Sequence, residues 1–281
     1  MLTLPAPAKI NLYLQVTAVH DNGMHELNTA FAYTEVCDQL SIESSDELQI
    51  TCSQPHLGGE RNLVHQVLQA LKTRYSIKDG LRVHINKQIP EQAGLGGGSS
   101  DAATAIMAAN NLWNIHANRD ALIDFATPFG ADIPCFLYGK ASLATGIGAT
   151  LRDYPYPLPG KSILLARPGS GLSTAEVFRH FDSTLTDHPG LATMRRESSG
   201  IGVNDLEASA CFLNPAISQL LTELRKQTDT AWMSGSGSTC VALFDSHHQA
   251  LNVSDLLQQL NLANWTHVGN ICDIHPMLLS K

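Results

Sequence analysis

The sequence predicts an α+β fold in two domains. Runs that alternate with a period of two are interleaved, in both halves, with segments of helical spacing. Near the middle stands DYPYPLPG, residues 153–160, whose three alternating prolines block both helix and central strand and read as a linker. A chain of 281 residues also suggests two cores more readily than one. The expected domains are residues 1–154 and 155–281.

The elements follow in order. Residues 9–19 place Ile10, Leu12, Leu14, Val16 and Ala18 in strict alternation with Lys9, Asn11, Tyr13, Gln15 and Thr17, a strand with one buried face. Shorter strand-like runs follow at 31–36, 40–42 and 48–52. Leu63, Val64, Val67, Leu68 and Leu71 have helical spacing, and Leu81, Val83 and Ile85 alternate again. Next come the glycines of PEQAGLGGGSSDAAT, residues 90–104, and then an alanine-rich helix. The second half reads as strand 162–166, helix 174–181 and helix 206–226 interrupted at Pro215. A strand, loop and strand around WMSGSGSTCVALF, a helix at 251–260 and a strand at 266–273 complete it. Residues 187–202 read as a surface loop.

An apolar fraction of 43% and a charged fraction of 16% describe an ordinary globular protein. A net charge of −8 argues against a general nucleic-acid or anionic-membrane surface, while leaving room for a local basic pocket. No apolar run approaches the roughly 18 residues that a membrane span needs. MLTLPAPAK lacks the apolar centre of a signal peptide. The six cysteines are scattered without a C-x-x-C pair, which suits free thiols in a reducing cytoplasm. His20 with His25, and His247 with His248, lack the spacing that brings two rings to one helix face, so no histidine metal site is expected.

The glycines lead into a helix N-terminus, with a serine or Asp101 as the expected N-cap. The first N–H groups of a helix lack intrahelical partners, and its dipole favours negative charge. Bare backbone that accepts positive φ can close around a bulky anion, so the stretch suits phosphate. A flexible loop that merely caps a helix is the alternative. A Walker A loop is excluded by the missing lysine, and a dinucleotide fingerprint by Ser99 at its last glycine position. No Gly-x-Ser-x-Gly elbow is present in the loop. Lys9 and Asn11 share one strand face, either exposed or functional. Asp132 in FGADIPCF precedes Pro134, expected to stop a helix, and alone could be a helix-end aspartate. SGSGST at 234–239 alone would be a hairpin turn.

Together PAPAKINLYL, PEQAGLGGGSSDAAT, FGADIPCF and MSGSGSTCVALF resemble the signature segments of the GHMP kinases, which include galactokinase and the homoserine, mevalonate and phosphomevalonate kinases. With NDLE at 204–207 and the terminal His275–Pro276, the set is most similar to members acting on a cytidine-diphosphate-linked methylerythritol. The resemblance spans nearly the whole chain in the expected order. It implies ATP as donor, Mg²⁺ as metal, a ferredoxin-like C-terminal domain, a cleft between the domains, and a cytoplasmic monomer or homodimer. It further implies that Pro90 and Gly94, Leu95, Gly96, Gly97, Gly98, Ser99 and Ser100 hold the nucleotide, with Asn62 near the adenine. Lys9 and Asp132 become the catalytic pair, Asn11 touches substrate, His25 and Phe178 border a cytidine pocket, and Ser99 or Ser100 reaches the metal. Met24 stands where the family usually has an aromatic residue before the histidine, and is expected to bind substrate there by covering one face of the cytosine with Phe178 on the other. Rival readings are another GHMP kinase with a different small alcohol, a nucleotide-binding regulator without chemistry, and a Rossmann oxidoreductase whose glycine spacing fails.

Overall fold

The computed structural model describes residues 1–20, 23–148, 150–185 and 201–279. Two long antiparallel strands, β1 (Leu2–Val19) and β2 (His25–Ser45), form its spine. β3 (Gln49–Cys52), α1 (Leu63–Tyr75), β4 (Gly80–Asn86), α2 (Gly97–Leu112), α3 (Arg119–Ala126), α4 (Ile133–Tyr138), β5 (Ser142–Gly146) and β6 (Thr150–Asp153) complete the first half. Residues 154–161 carry neither strand nor helix. The second half runs β7 (Ser162–Arg167), α5 (Thr174–Leu185), α6 (Glu207–Leu213), α7 (Pro215–Gln227), β8 (Ala231–Met233), β9 (Cys240–Phe244), α8 (His247–Gln259) and β10 (Trp265–Cys272).

The strand order β3-β4-β2-β10-β7-β9-β8 passes through both halves. Its last four strands, with helices between β7 and β8 and between β9 and β10, form the β-α-β-β-α-β arrangement of a ferredoxin-like unit. β10 belongs to both halves: it pairs with β7 from Trp265 to Asn270 and then with β2 at Ile271 and Cys272. Beyond it, Ala141 donates to Asp273 O and His275 to Gly139 O, so the C-terminal tail rests on the first half.

Four expectations change. The two short runs at 31–36 and 40–42 are one strand, because Asp38 between them is fully buried with its carboxylate satisfied. β1 is buried on both faces from Ala6 to Gln15, not on one. Ile10 and Leu12 join Ile163, Leu165, Trp232 and Val241 in an apolar seam between the halves, while Ala6 packs into the first-half core. Each such aliphatic side chain contributes about 1.5–3 kcal/mol on burial. α2 begins at Gly97 with Gly96 as its N-cap, so Ser99, Ser100 and Asp101 lie inside the helix. Pro134 lies in the first turn of α4 rather than stopping a helix, where a missing N–H is harmless. The break at Pro215 occurs as expected, and Asn214 caps α7 through Ala216 N–H. The loop expected at 187–202 lies outside the described residues except for its last two positions.

Candidate active site

A cleft of about 640 Å³ opens beside the start of α2. Each glycine there meets a different constraint. Gly94 has φ +72°, and a Cβ on it would run into Ser234 O and stand 2.9 Å from Gly237 O. The loop at 234–239 is therefore a hairpin turn that backs the glycine loop. Thr239 N–H donates to Ala93 O at 3.1 Å and Ser234 Oγ to Gly94 O at 3.2 Å. Asn204 steadies the turn from behind by donating to Met233 O and Gly235 O at 2.6 and 2.8 Å. Gly96 has φ +69°, and a Cβ there would sit 3.0 Å from the Phe136 ring and 3.1 Å from Lys9 Cγ. Gly98 faces open space. Ser100 N–H is bonded to Gly96 O at 2.8 Å, which leaves the N–H groups of Gly97, Gly98 and Ser99, beside the cleft, as a first turn without partners among the described residues. Such an end binds anions.

The opposite wall comes from β1. A register shift between Asn11 and Tyr13 bulges the strand, and a second irregularity lies between Pro7 and Lys9. Between them Lys9 N–H is held by Leu95 O at 3.0 Å, tying the strand to the glycine loop. Lys9 Nζ donates to Asn11 Oδ1 at 2.7 Å, lies 3.4 Å from Asp132 Oδ2, and stands 5.2 Å from the centre of the Phe31 ring. Asn11 Nδ2 donates to Thr29 Oγ1 at 2.8 Å, and Thr29 in turn donates to Tyr13 O, so the amide has only one orientation that offers its oxygen to Lys9. Asp132 caps no backbone N–H, and its side chain is 37% exposed. A helix-end aspartate tied to the backbone would be neither.

The remaining expected residues divide. Pro90, Leu95, Gly97, Ser99, Asn62 and Phe178 line the cleft. Asn62 spends its side chain on structure: Oδ1 accepts from Val64 N–H at 2.8 Å and Nδ2 donates to Leu57 O at 2.6 Å, shaping the wall formed by Leu57 and Gly58. Leu95 is almost fully buried and offers only its backbone. Ser100 is fully buried, with an Oγ that has no partner among the described residues, whereas Ser99 reaches the cleft. His25 packs on Phe178 with ring centres 4.4 Å apart and is held by Asp182 at 2.7 Å. Neither His25 nor Met24, the latter 44% exposed, is among the residues that line the cleft.

One part of the site is invisible to motif reading. Lys87, from the loop after β4, donates to both Asp38 and Asp101, the latter at 2.8 Å. Asp38 also accepts from Gln88 N–H at 2.5 Å and Ile89 N–H at 2.9 Å, so it fixes the chain that enters the glycine loop. Burial pulls the Lys87 ammonium down, but the Asp101 and Asp38 carboxylates outweigh that and keep it raised. Burial, reinforced by the Asp38 charge, pushes Asp101 up to about 7 against the pull of Lys87. One ammonium does not neutralise two buried carboxylates, and a proton is the cheapest third charge. The sequence signal was there as two acids and a lysine flanking apolar runs, but only long-range pairing assembles them.

Comparison with known proteins agrees with this geometry. The family model for the GHMP kinases N terminal domain matches residues 62–140, and that for GHMP kinases C terminal matches residues 183–260. A 4-diphosphocytidyl-2-C-methyl-D-erythritol kinase of Alcanivorax borkumensis is 34% identical over 98% of this chain and 92% of its own length. The kinase of the same name from Chromobacterium violaceum is 35% identical over 97% and 95%. A crystal structure of 4-(cytidine 5'-diphospho)-2C-methyl-D-erythritol kinase superimposes with a TM-score of 0.79 at 29% identity, over 96% of this chain and 99% of that one. A mevalonate kinase from L. major, at 13% identity and a TM-score of 0.71 over 98% and 97% of the two chains, shares the fold. With both family domains matched in order, and relatives above 30% identity along nearly its whole length, the chain belongs to the GHMP kinases.

Proposed function

We propose that this protein transfers the γ-phosphoryl group of ATP to the tertiary 2-hydroxyl of 4-diphosphocytidyl-2-C-methyl-D-erythritol, in the cytoplasm, as a step of non-mevalonate isoprenoid precursor synthesis. The observation that carries the reading is the Lys9–Asp132 pair, 3.4 Å apart in a cleft floored by an open helix N-terminus. Phosphoryl transfer asks for alignment and charge stabilisation more than covalent help. The N–H groups of Gly97, Gly98 and Ser99 cradle the triphosphate, and the buried hairpin and Phe136 keep the loop in the one shape that leaves them exposed. Asp132 accepts the substrate hydroxyl's proton as that oxygen bonds to the γ-phosphorus and the bond to the β,γ-bridging oxygen breaks, releasing ADP. Lys9 steadies the Asp132 carboxylate and the transferring group, and the Thr29–Asn11 relay fixes where its ammonium points.

Mg²⁺ binds through phosphates and water plus one or two protein oxygens, not in an all-protein cage. The Asp132 carboxylate and the Ser99 hydroxyl at the cleft fit that pattern, whereas fully buried Ser100 is set back from it. When bound, the ion would neutralise charge on the phosphates. We take the lobes as 1–154 and 155–281, and the cleft draws on both, with Thr174, Phe178, Leu206, Gly235 and Ser236 lining it from the second. The likeness to kinases of this name supports this substrate over homoserine or mevalonate. The test is ADP release from MgATP with this substrate against homoserine and mevalonate controls. Turnover confined to either control overturns the reading.

A further inference from the structure

We infer that Tyr33 is a positioning residue for phosphoryl transfer: its hydroxyl ties the strand pair that carries Lys9 to the short helix that carries Asp132, and so sets the spacing of the two. This rests on the roles given to Lys9 and Asp132 above. Tyr33 lies on β2, in register opposite Lys9 on β1. Its hydroxyl donates to Cys135 O at 2.6 Å, across 102 positions of sequence. Cys135 belongs to α4, three residues after Asp132, and its thiol donates to Asp132 O at 3.1 Å. One side chain therefore reaches from the strand position facing Lys9 to the helical turn that begins at Asp132.

The helix depends on that anchor. α4 has six residues, too few to be stable alone, so tertiary contacts fix where it lies. Asp132 caps no backbone N–H, and its carboxylate goes where the first turn of α4 takes it. Tyr33 is 1% exposed, and burial raises its phenol well above the ordinary value, so the hydroxyl stays a donor. The ring is itself held between two others. Phe136 stands 5.9 Å from it, and the His275 ring meets it edge-on at 5.5 Å and 77°. His275 is fully buried, its Nδ1 accepts from Met277 N–H at 3.2 Å, and its backbone N–H donates at 2.9 Å to Gly139 O, at the end of α4. The C-terminal tail thus closes on both Tyr33 and the far end of the same helix. Satisfying a buried carbonyl would not by itself call for the phenol, because Gly139 N–H already reaches Cys135 O at 3.3 Å.

The test compares the wild type, Tyr33→Phe, Asp132→Asn and the double variant in steady-state kinetics, with crystal structures of the wild type and Tyr33→Phe. Tyr33→Phe keeps the ring and its packing and removes only the hydroxyl. It should lower kcat about tenfold, within the roughly hundredfold that a 1 Å misplacement costs. The KM values for ATP and for the alcohol should hold, which also reports that the variant is folded. In the Asp132→Asn background the same change should lower kcat no further, because the hydroxyl acts through that carboxylate. In the Tyr33→Phe structure the Lys9–Asp132 contact, 3.4 Å here, should open. Wild-type kcat in Tyr33→Phe, an equal loss in the Asp132→Asn background, or an unchanged Lys9–Asp132 separation overturns the inference. A lower urea midpoint with unchanged kcat would likewise reduce the contact to a core hydrogen bond. A wild type without turnover on the cytidine-linked substrate would instead overturn the functional reading, and the separation in the two crystal structures would still decide whether the hydroxyl sets it.

Discussion

Lys9 and Lys87 are both 5% exposed at their side chains, and both meet carboxylates. Lys87 lies between Asp38 and Asp101, whose side chains are 0% and 4% exposed. Lys9 faces Asp132, which is 37% exposed, and shares its ammonium with the Asn11 amide. The first arrangement sets two buried carboxylates on one ammonium, and burial with the Asp38 charge raises Asp101. The second is balanced in charge and has one open side. Asp132, at 37% side-chain exposure, is open to a proton or a ligand; Asp101 and Lys87 also border the cleft, but at 4% and 5% exposure their charges are taken up by one another and by Asp38. The same residue types thus leave an acid open to the cleft in one place and a mutually paired cluster in the other, and accessibility of the acid is the difference.

The comparison breaks most decisively at Asp132. Asp132→Asn should lower kcat about 10²–10⁴-fold, the usual loss of a general base, with substrate binding retained. Lys9→Met should also lose most turnover, and the double variant should cost less than the two single losses combined, since the groups share one site. Wild-type turnover in Asp132→Asn, or strict additivity, would remove the pair from the chemistry.

Lys87→Met should instead act on stability. It strands two buried carboxylates, and breaking a buried pair from one side costs about 3–5 kcal/mol. Lys9→Met should cost less, because water can reach Asp132. Urea midpoints of the two variants, compared at equal m-values, measure the difference. Equal losses would mean that the two lysines are not distinguished by the exposure of their partners.

A smaller effect sharpens the same contrast through pH. Asp101, raised to about 7 in the folded chain from 3.8, contributes stability at low pH that is lost as pH rises through that value. Burial depresses His275 to about 4 from 6.5, so its contribution runs the other way, present above 6.5 and lost as pH falls toward 4. The two offset one another in the window they share. Asp101→Asn removes the falling limb, so its stability should climb more steeply than that of the wild type between about pH 5 and pH 7. The change in slope is at most about 1.4 kcal/mol per pH unit for one proton. Parallel curves would mean that Asp101 holds no extra proton.

Met24→Ala should have the least effect. A thioether on a ring contributes about 0.3–1.5 kcal/mol at best, and Met24 stands outside the cleft lining. A rise in the cytidine-substrate KM below about threefold is expected, with Phe178→Ala costing more. A larger loss in Met24→Ala would place that side chain over the base.

Much of the site was legible because its signals are local. A glycine run before a helix former announces an open N-terminus wherever it occurs. Lys9 and Asn11 two apart on a strand must share a face, and the ordered motifs named the family. What stayed hidden depends on partners far away in sequence. Residues 37–39, Asp38 among them, fell in the gap between two strand-like runs; Lys87 and the N–H groups of Gln88 and Ile89, 49 to 51 positions on, make Asp38 a buried anchor within one strand. Ser100 looked equivalent to Ser99, but the helix begins at Gly97 and its rotation carries one to the cleft and the other into the interior.

The sequence by itself determined the alternation of strands and helices, the two-part organisation and a glycine run leading into a helix, and its ordered motifs carried the family resemblance that names Lys9 and Asp132 as candidates. These follow from side-chain periodicity, backbone propensity and motif order, which act over a few residues. Only the tertiary structure decided that both faces of β1 are buried, that β10 links the two halves, that the 234–239 hairpin shapes the loop by filling the space a Cβ at Gly94 would need, and that Asp182 grips His25. Those outcomes depend on which distant surfaces exclude water together, and burial is a property of the assembled chain, not of any segment within it.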